Sequence, residues 1–213
     1  MSKESLSSYS RLIVNSCVLL KVFDMTESIN SKVLDILKNS EQIFSAGQIH
    51  AAIADLAGKM NRDFDVPDVK TPPLVLSIMG GSAVFTGHLL PHLTFPLEFD
   101  FIHVSRYGNE EYGGEFIWKV IPRQNVINRT VIVLDDILDE GQTLLHVRDK
   151  LMDMGAAKVV IAVFADKQTG ATKPVKADYV GLQVPNQFII GFGMDVKGFW
   201  RNLPDIRVLT KEF

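Results

Sequence analysis

Long apolar runs along the chain predict the strands of a buried sheet. Continuous apolar stretches at Leu74–Met79, Thr130–Leu134 and Lys158–Ala165 are typical of strands that are covered on both faces. Residues Leu97–Ser105 alternate between apolar and polar side chains, which also favours a strand. Two shorter strands are predicted at Phe116–Ile121 and Tyr179–Val184.

Apolar residues at helical spacing predict the helices between these strands. The clearest helix spans Ser45–Phe64, and Ser45 itself is a suitable N-cap. Another helix is predicted just beyond Thr143, and Gly155 suits its end. Shorter helices are predicted at Ser28–Lys38 and Ala83–His92. Strands and helices together indicate one α/β domain.

The first 40 residues carry no recognisable chemistry. Residues 1–11 are polar and rich in serine, so we expect a mobile arm there. Leu12–Phe23 is predicted to be a strand or a partly buried extended segment, packed on the core domain or used in an oligomer contact. This run is too short to span a bilayer and lacks a cleavage site of small residues, so we expect neither a membrane segment nor a signal peptide.

Composition and charge narrow the class of protein. The length of 213 residues suits one α/β domain with a small appended lobe, and the hydrophobic fraction of 46% is enough for a substantial core. The 22 basic residues against 25 acidic ones give a formal charge of −3. The sequence has no block of basic residues that would indicate a nucleic-acid partner. Cys17 is the only cysteine, which excludes an intramolecular disulfide and favours the cytoplasm.

The residues after the apolar run at Thr130 carry the candidate chemistry. Asp135 and Asp136 follow it, where we expect the strand to leave the sheet, and a turn with Gly141 leads into the next helix. The N-terminus of a helix after a glycine turn can bind a phosphate, and Thr143 adds a hydroxyl donor. Ionised carboxylates only accept hydrogen bonds, so the two aspartates can hold ribose hydroxyls or the waters of a Mg²⁺ ion. Together these features predict a binder of ribose 5-phosphate.

Two common phosphate motifs are absent, and one unrelated interpretation stays open. The chain contains no G-x-x-x-x-G-K-[ST] loop, and the turn has a single glycine where a dinucleotide-binding motif needs three. An acidic strand end of this kind also occurs in unrelated α/β proteins, such as those with a Walker B-like or receiver-like acid pair.

Residues 133–144 resemble the phosphoribosyl pyrophosphate (PRPP)-binding motif of type I phosphoribosyltransferases. The resemblance implies that the loop Asp139–Thr143 anchors the 5-phosphate and that Asp139 is the general base at purine N7, or stabilises its proton. Glu140 departs from the motif, because small or hydroxyl residues are common there, and we expect weaker PRPP affinity as a result. The implied PRPP-binding residues are Asp135, Asp136, Asp139, Glu140, Gly141, Gln142 and Thr143.

Two further segments resemble loops of hypoxanthine–guanine phosphoribosyltransferases. Met79–Ser82 falls where these proteins carry a pyrophosphate-binding loop, often with a non-proline cis peptide, although Gly80 stands where a lysine or arginine is usual. Gly80 and Gly81 would bind pyrophosphate, and a plain strand-to-helix turn is the alternative. Ser105, Arg106 and Tyr107, followed by Gly108, resemble the lid over the reaction centre, for which an ordinary hairpin loop is the alternative.

The C-terminal third resembles the purine-binding part of the same family. The resemblance implies that Lys167 hydrogen-bonds the exocyclic oxygen of a 6-oxopurine. The alternative is a solvated surface lysine, which is the common case for this residue type. Phe188 would stack on the purine, or else belong to the core, and the backbone of Ile189 would read the base edge. Asp195 would lie near the base and a second metal ion, and Arg201 would contact pyrophosphate.

The matching motifs run in order from about Leu74 to Leu209 and imply a fold and a reaction. We expect a doubly wound, mostly parallel α/β sheet with a small hood lobe. Residues 1–40 would be an extension that contributes to the hood, and residues 41–213 the phosphoribosyltransferase domain, with 184–213 as its purine-binding hood segment. The expected fold class is that of the type I phosphoribosyltransferases.

The implied reaction joins a 6-oxopurine, hypoxanthine or guanine, to PRPP with Mg²⁺ held by Asp135, Asp136 and Asp195. A homodimer or homotetramer is implied by the resemblance alone, and neither nucleic acid nor a membrane is an expected partner. Preference for xanthine, or for orotate, adenine or uracil in another enzyme of this fold, remains an alternative. So does a regulator of the same fold that senses nucleotides and binds RNA.

Overall fold

The computed structural model describes residues 31–65, 71–106 and 116–211. Contacts between Cα atoms divide the chain into two compact units, Met1–Glu41 with Leu209–Phe213 and Gln42–Val208. Residues 31–38 of the first unit form helix α1, in agreement with the prediction there. The predicted arm and the run Leu12–Phe23 lie outside the described residues, and the domain boundaries at 40 and 184 stay predictions. No helix in the described ranges is long and apolar enough to cross a membrane.

A six-stranded sheet forms the centre of the larger unit, with the strand order β4-β3-β2-β5-β6-β7. All neighbouring strands are parallel except β3 and β4, which form an antiparallel pair at one edge. The mostly parallel sheet that the sequence predicts is therefore confirmed. The strands are β2 Leu74–Ile78, β3 Glu98–Arg106, β4 Phe116–Val120, β5 Thr130–Leu138, β6 Lys158–Gln168 and β7 Tyr179–Pro185.

Helices cover both faces of this sheet, which confirms the doubly wound arrangement. Val75 of β2 belongs to the apolar core that includes the buried residues of helices α2 and α3. Its neighbours Leu74 and Leu76 belong instead to the core that includes helix α4. Such alternation explains why the central strands are apolar at successive positions. The helices are α2 Ala46–Phe64, α3 Ser82–Leu89 and α4 Gln142–Asp153, and a 3₁₀ turn follows α3 at Leu90–His92.

The start of α2 follows directly from its sequence. The Ser45 hydroxyl accepts a hydrogen bond from the backbone of Gln48, whose side chain accepts one from the backbone N–H of Ser45. This reciprocal pair is a capping box, which satisfies donors that the first turn leaves free. Ile49, Ile53 and Leu56 lie on the buried face, as their spacing predicts.

Strand β5 runs further than the sequence indicates. Asp135 and Asp136 do not leave the sheet, because parallel pairing with β6 continues through Asp135 opposite Val163 to Leu138 opposite Asp166. Backbone hydrogen bonding by β6 therefore extends the strand through polar residues that end the apolar pattern. The correction matters for the site, since both carboxylates stand on a strand and the turn begins only at Asp139.

A second sheet of three strands has the order β1-β9-β8. Its strands are β1 Ser40–Phe44, β8 Ile189–Ile190 and β9 Ile206–Leu209, and β8 runs antiparallel to β9. Between β8 and β9 the chain makes two isolated bridges, Gly191 with Met194 and Val196 with Phe199. The segment between these two strands carries Asp195 and Arg201, and Ile189, Phe192 and Met194 belong to the same apolar core as the buried residues of α2 and α3.

Candidate active site

The turn between β5 and α4 has the geometry of a phosphate-binding loop. Gly141 is the N-cap residue of α4 and has a φ of +86°, a left-handed conformation that favours glycine. No N-cap side chain accepts a hydrogen bond from the backbone N–H groups in the first turn of α4. They point, with the positive end of the helix dipole, towards the space in front of the turn.

A cavity of about 630 Å³ lies in front of this turn and gathers most of the predicted site residues. It includes the predicted PRPP and pyrophosphate residues as well as Asp195 and Arg201, although these come from four separate parts of the chain. Ile78, Met79, Ile137 and Leu144 also line it. The last three lie within the segments that resemble family motifs, but the sequence assigned none of the four a role, because apolar residues there carry no chemical signal. The predicted residues that line it are Gly80, Gly81, Asp135, Asp136, Asp139, Glu140, Gly141, Gln142, Thr143, Asp195 and Arg201.

A smaller cavity of about 190 Å³ contains the predicted purine-binding residues. Lys167, Phe188, Ile189 and Asp195 all line it, together with Met194, which the sequence analysis missed. The two cavities have four lining residues in common, so they meet. The shared residues are Asp136, Ile137, Asp139 and Asp195.

Two alternatives for the purine-binding residues are excluded by burial. Phe188 is 53% exposed, so it is not a core residue. The side chain of Lys167 is only 13% exposed and its Nζ forms an ion pair with the Asp139 carboxylate, so it is not a solvated surface lysine. Both residues present their side chains to the smaller cavity.

Asp135, which is buried, and Asp136, which is half-buried, form a pair of adjacent acids that line the larger cavity. Burial raises the pKa of Asp135 well above its ordinary value, and the adjacent charge of Asp136 raises it further. Burial also raises the pKa of Asp136, against the opposing effects of its hydrogen bond with Asp135 and of the positive charge of Arg201. The pair is therefore costly to ionise without a cation or hydrogen-bond donors nearby.

The loop after β2 approaches these acids closely. The Met79–Gly80 peptide bond is cis, as the resemblance implies. A Cβ atom at Gly81 would lie 1.7 Å from Oδ2 of Asp136, whereas a Cβ at Gly80 would meet nothing within 4 Å. Gly81 is therefore required by the carboxylate beside it. A Cβ at Gly193 would lie 2.1 Å from the Gly81 carbonyl oxygen, so the close approach of residue 193 to the loop also requires a glycine.

Buried hydroxyl groups hold this loop in place. The Ser77 hydroxyl lies 2.7 Å from the Ser82 hydroxyl and 2.8 Å from that of Thr86, and Ser82 also donates to the Ile78 carbonyl oxygen. The three hydroxyls join the end of β2 to the first turns of α3. Sequence reasoning missed them, because single serines and threonines carry no distinctive pattern.

Arg201 and Asp195 form a second ion pair at the edge of the larger cavity. The distance from Arg201 Nη2 to Asp195 Oδ1 is 2.5 Å, and Arg201 Nη1 donates to the Gly193 carbonyl oxygen at 2.5 Å. Asp195 also accepts a hydrogen bond of 2.6 Å from the backbone N–H of Gly198. The guanidinium is thereby held in a defined orientation, facing the space between the glycine loop and the paired acids.

The predicted lid is only partly described. Ser105 and Arg106 end strand β3, and Ser105 lines neither of the two cavities. Tyr107 and the side chain of Arg106 lie outside the described residues. The antiparallel pairing of β3 with β4 fits the lid and the hairpin-loop interpretations equally, so the lid stays a prediction.

Comparisons with known proteins agree with this geometry. A profile of the family described as phosphoribosyl transferase domain matches residues 39–197. The hypoxanthine-guanine phosphoribosyltransferase of Streptococcus pneumoniae is 35% identical over 164 residues, which cover 76% of this chain and 91% of that protein. The protein of the same name from Streptococcus thermophilus is 35% identical over 171 residues, covering 80% and 93%.

Solved structures show the same relationship. A crystal structure of a hypoxanthine phosphoribosyltransferase from Staphylococcus aureus matches with a TM-score of 0.73 at 28% identity, over 79% of this chain and 90% of that one. The sequence motifs, the family match and the structural comparison thus agree with one another. The chain therefore belongs to the phosphoribosyltransferase family, as a type I member similar to the hypoxanthine-guanine phosphoribosyltransferases.

Proposed function

We propose that this protein salvages purines by transferring the 5-phosphoribosyl group of PRPP to hypoxanthine or guanine, which yields IMP or GMP and pyrophosphate. The observation that carries the proposal is the meeting of two cavities at Asp136, Asp139 and Asp195. One cavity has the features of a phosphate and ribose site, and the other has an exposed aromatic ring beside a lysine. The names of the relatives support the same substrates.

PRPP occupies the larger cavity in this proposal. Its 5-phosphate binds the loop Asp139–Thr143, where backbone N–H groups and the dipole of α4 stabilise negative charge. The pyrophosphate lies between the backbone of Gly80–Gly81 and the guanidinium of Arg201, whose planar fork suits such an anion. Asp135 and Asp136 accept hydrogen bonds from the ribose hydroxyls.

The paired acids Asp135 and Asp136 also suit a magnesium ion. Within the described ranges no three His, Cys, Asp or Glu side chains form a complete metal cage. Mg²⁺ needs none, because it keeps several waters and takes its remaining ligands from one or two carboxylates and from substrate phosphates. Burial raises the pKa of Asp135 and of Asp136, and a cation would favour their ionised forms. We assign one ion to this pair and a second to Asp195; when bound, the ions would stabilise the charge of the departing pyrophosphate.

The purine occupies the smaller cavity. Phe188 stacks on the ring, the backbone of Ile189 reads its edge, and Lys167 donates a hydrogen bond to the oxygen at position 6. A lysine ammonium group only donates hydrogen bonds, so it favours a keto oxygen over an exocyclic amine. The purine thereby lies next to Asp139 and faces the ribose carbon that it attacks.

Positioning and charge stabilisation carry most of the rate in this mechanism. A ring nitrogen of the purine forms a bond to the anomeric carbon of the ribose while the bond from that carbon to pyrophosphate breaks. Asp139 accepts the proton from N7 of the purine, or stabilises it there, and it lines both cavities as this role requires. Arg201 and the glycine loop hold the leaving group.

Assays with PRPP, Mg²⁺ and one base at a time test the proposal. We expect nucleotide and pyrophosphate from hypoxanthine and guanine, and none from adenine, orotate or uracil; turnover with xanthine would identify a xanthine-preferring variant. Product from another base alone would contradict our account of the purine cavity. PRPP binding without turnover of any base would favour a regulator. A homodimer or homotetramer and a cytoplasmic location complete the proposal, from the family resemblance and the single cysteine.

A further inference from the structure

Lys173, in the connection between β6 and β7, makes three hydrogen bonds with its side-chain ammonium group. Nζ donates to the Leu138 carbonyl oxygen at 2.8 Å, to the Lys167 carbonyl oxygen at 2.6 Å and to Oδ1 of Asp166 at 2.5 Å. A lysine has three N–H donors, so all of them are used. Its side chain is 13% exposed, which is unusually buried for a lysine.

These acceptors stand where two strands end beside the reaction centre. Leu138 is the last residue of β5 and pairs with Asp166 of β6. The Leu138 carbonyl is part of the peptide bond to Asp139. The Lys167 carbonyl belongs to the residue whose side chain forms the ion pair with Asp139. Lys173 therefore holds the backbone on both sides of the Asp139–Lys167 ion pair.

The two residues after Lys173 contact the phosphate-binding turn. A Cβ atom at Gly141 would lie 3.2 Å from Cγ1 of Val175 and 3.4 Å from Cδ of Pro174. Val175 is buried in the same apolar core as Leu138 and Leu144. Residues 173–175 thus link the phosphate turn to the ends of β5 and β6.

The chemistry of Lys173 favours a geometric role over a purely stabilising one. A buried ion pair is weak support for stability, since an apolar side chain of similar size often stabilises as well. Three directed hydrogen bonds to fixed acceptors, in contrast, restrict where those acceptors lie. Lys173 lines neither cavity among the described residues, so it does not touch the substrates.

We infer that Lys173 is a positioning residue for phosphoribosyl transfer, which sets the separation and orientation of Asp139 and Lys167 around the bound purine. The inference rests on the proposed function. A misplacement of about 1 Å at a reaction centre can reduce the rate about 100-fold. Loss of the three hydrogen bonds should therefore slow the chemical step more than it weakens PRPP binding.

The test compares Lys173→Met with Lys176→Met, a change at an exposed lysine three positions further along. For each variant, PRPP-binding sites are counted by titration, and the single-turnover rate with hypoxanthine is divided by that count. This rate does not depend on the fraction of folded protein, so a merely structural role would not change it. We expect a decrease of about 10- to 100-fold for Lys173→Met and less than about twofold for Lys176→Met.

Lys173→Arg is the second variant, because it keeps the charge beside Asp166 but cannot reproduce three divergent donors on one nitrogen. We expect a smaller decrease of the same kind, and this variant decides the question should Lys173→Met not fold. If the wild-type protein is active and the folded Lys173 variants have unchanged rates per PRPP-binding site, the inference about Lys173 is wrong but the proposed function stands. A wild-type protein that turns over no base overturns the proposed function and the inference with it.

Discussion

The Nζ atom of Lys167 forms an ion pair with the carboxylate of Asp139, and both residues line the smaller cavity, to which we assign the purine. The two residues have separate tasks in the proposed reaction, since one recognises the oxygen at position 6 and the other takes the proton at N7. Their contact places them side by side, as these neighbouring positions of a purine require. A lysine ammonium group has three donors, so Lys167 can bind the base while it keeps its contact with the carboxylate.

Asp139→Asn should lower kcat by about 10²- to 10⁴-fold, because the amide cannot accept the proton of the purine. The amide keeps the size of the side chain, so PRPP binding should change little. Steady-state kinetics with hypoxanthine measure the effect, with Asp153→Asn, at an exposed residue of α4, as the control. Turnover within a few-fold of the wild-type value would show that Asp139 is not the base.

Lys167→Met should remove the preference for a 6-oxo group. A hydrogen bond from a charged group contributes about 1.5–3 kcal/mol, so kcat/KM for hypoxanthine should fall roughly 10- to 100-fold. The affinity for adenine, measured as competitive inhibition of hypoxanthine turnover, should not fall, since the lysine offers the amine of adenine no acceptor. Lys158→Met changes an exposed lysine at the other end of the same strand and should affect neither base. Equal losses with both bases would contradict the assignment.

Gly81→Ala should impair PRPP use, because its Cβ would lie 1.7 Å from Oδ2 of Asp136 and must displace that carboxylate or the loop. We expect kcat/KM for PRPP to fall by about 100-fold or more. Gly87→Ala is the matched control, since Gly87 lies on the exposed side of the same helix with nothing within 4 Å of an added Cβ. A Gly81→Ala variant with unchanged kinetics would mean that Asp136 needs no fixed position.

Gly80→Lys should strengthen PRPP binding. An added Cβ at Gly80 meets nothing within 4 Å, and the position lines the cavity assigned to pyrophosphate. A lysine there would add a charge-assisted contact, so KM for PRPP should fall by about threefold or more. Gly80→Met adds length without charge and should bring no gain. An unchanged KM for PRPP in the Gly80→Lys variant would indicate that pyrophosphate does not bind beside residue 80.

The stability of the ligand-free protein should depend on pH through Asp135. Burial and the charge of Asp136 raise its pKa in the folded state above the unfolded value of about 4. The folded state then binds the proton of Asp135 more tightly than the unfolded state does. This difference stabilises the folded state below about pH 4, and the stabilisation is lost as the pH rises through the raised pKa of Asp135.

Asp135→Asn resembles the protonated acid and removes this dependence. Its melting temperature should match that of the wild-type protein near pH 4 and exceed it increasingly towards about pH 8. Thermal unfolding without ligand, at a series of pH values, measures the difference. Parallel curves for the two proteins would show that Asp135 does not retain its proton on folding.

Local patterns in the sequence were enough to predict the sheet, the helices and many of the residues that line the two cavities. A strand, a glycine turn and a helix start are adjacent along the chain, so Thr130–Leu144 could be interpreted from neighbouring residues alone. The end of β5 could not, because Asp135–Leu138 stay in the sheet through backbone pairing with β6 rather than through their own apolar character. Polar strand ends are set by the neighbouring strand.

The sequence by itself thus predicted the phosphate turn and the glycine loop, each from side chains a few positions apart, and the resemblance to the family indicated the candidate purine residues. Only the tertiary structure decided the contacts of Lys167 with Asp139 and of Lys173 with Leu138, which join residues 28 and 35 positions apart. Such contacts depend on which strands are neighbours and in what register they pair. No local pattern of side chains specifies that register, because it results from packing both faces of the sheet at once.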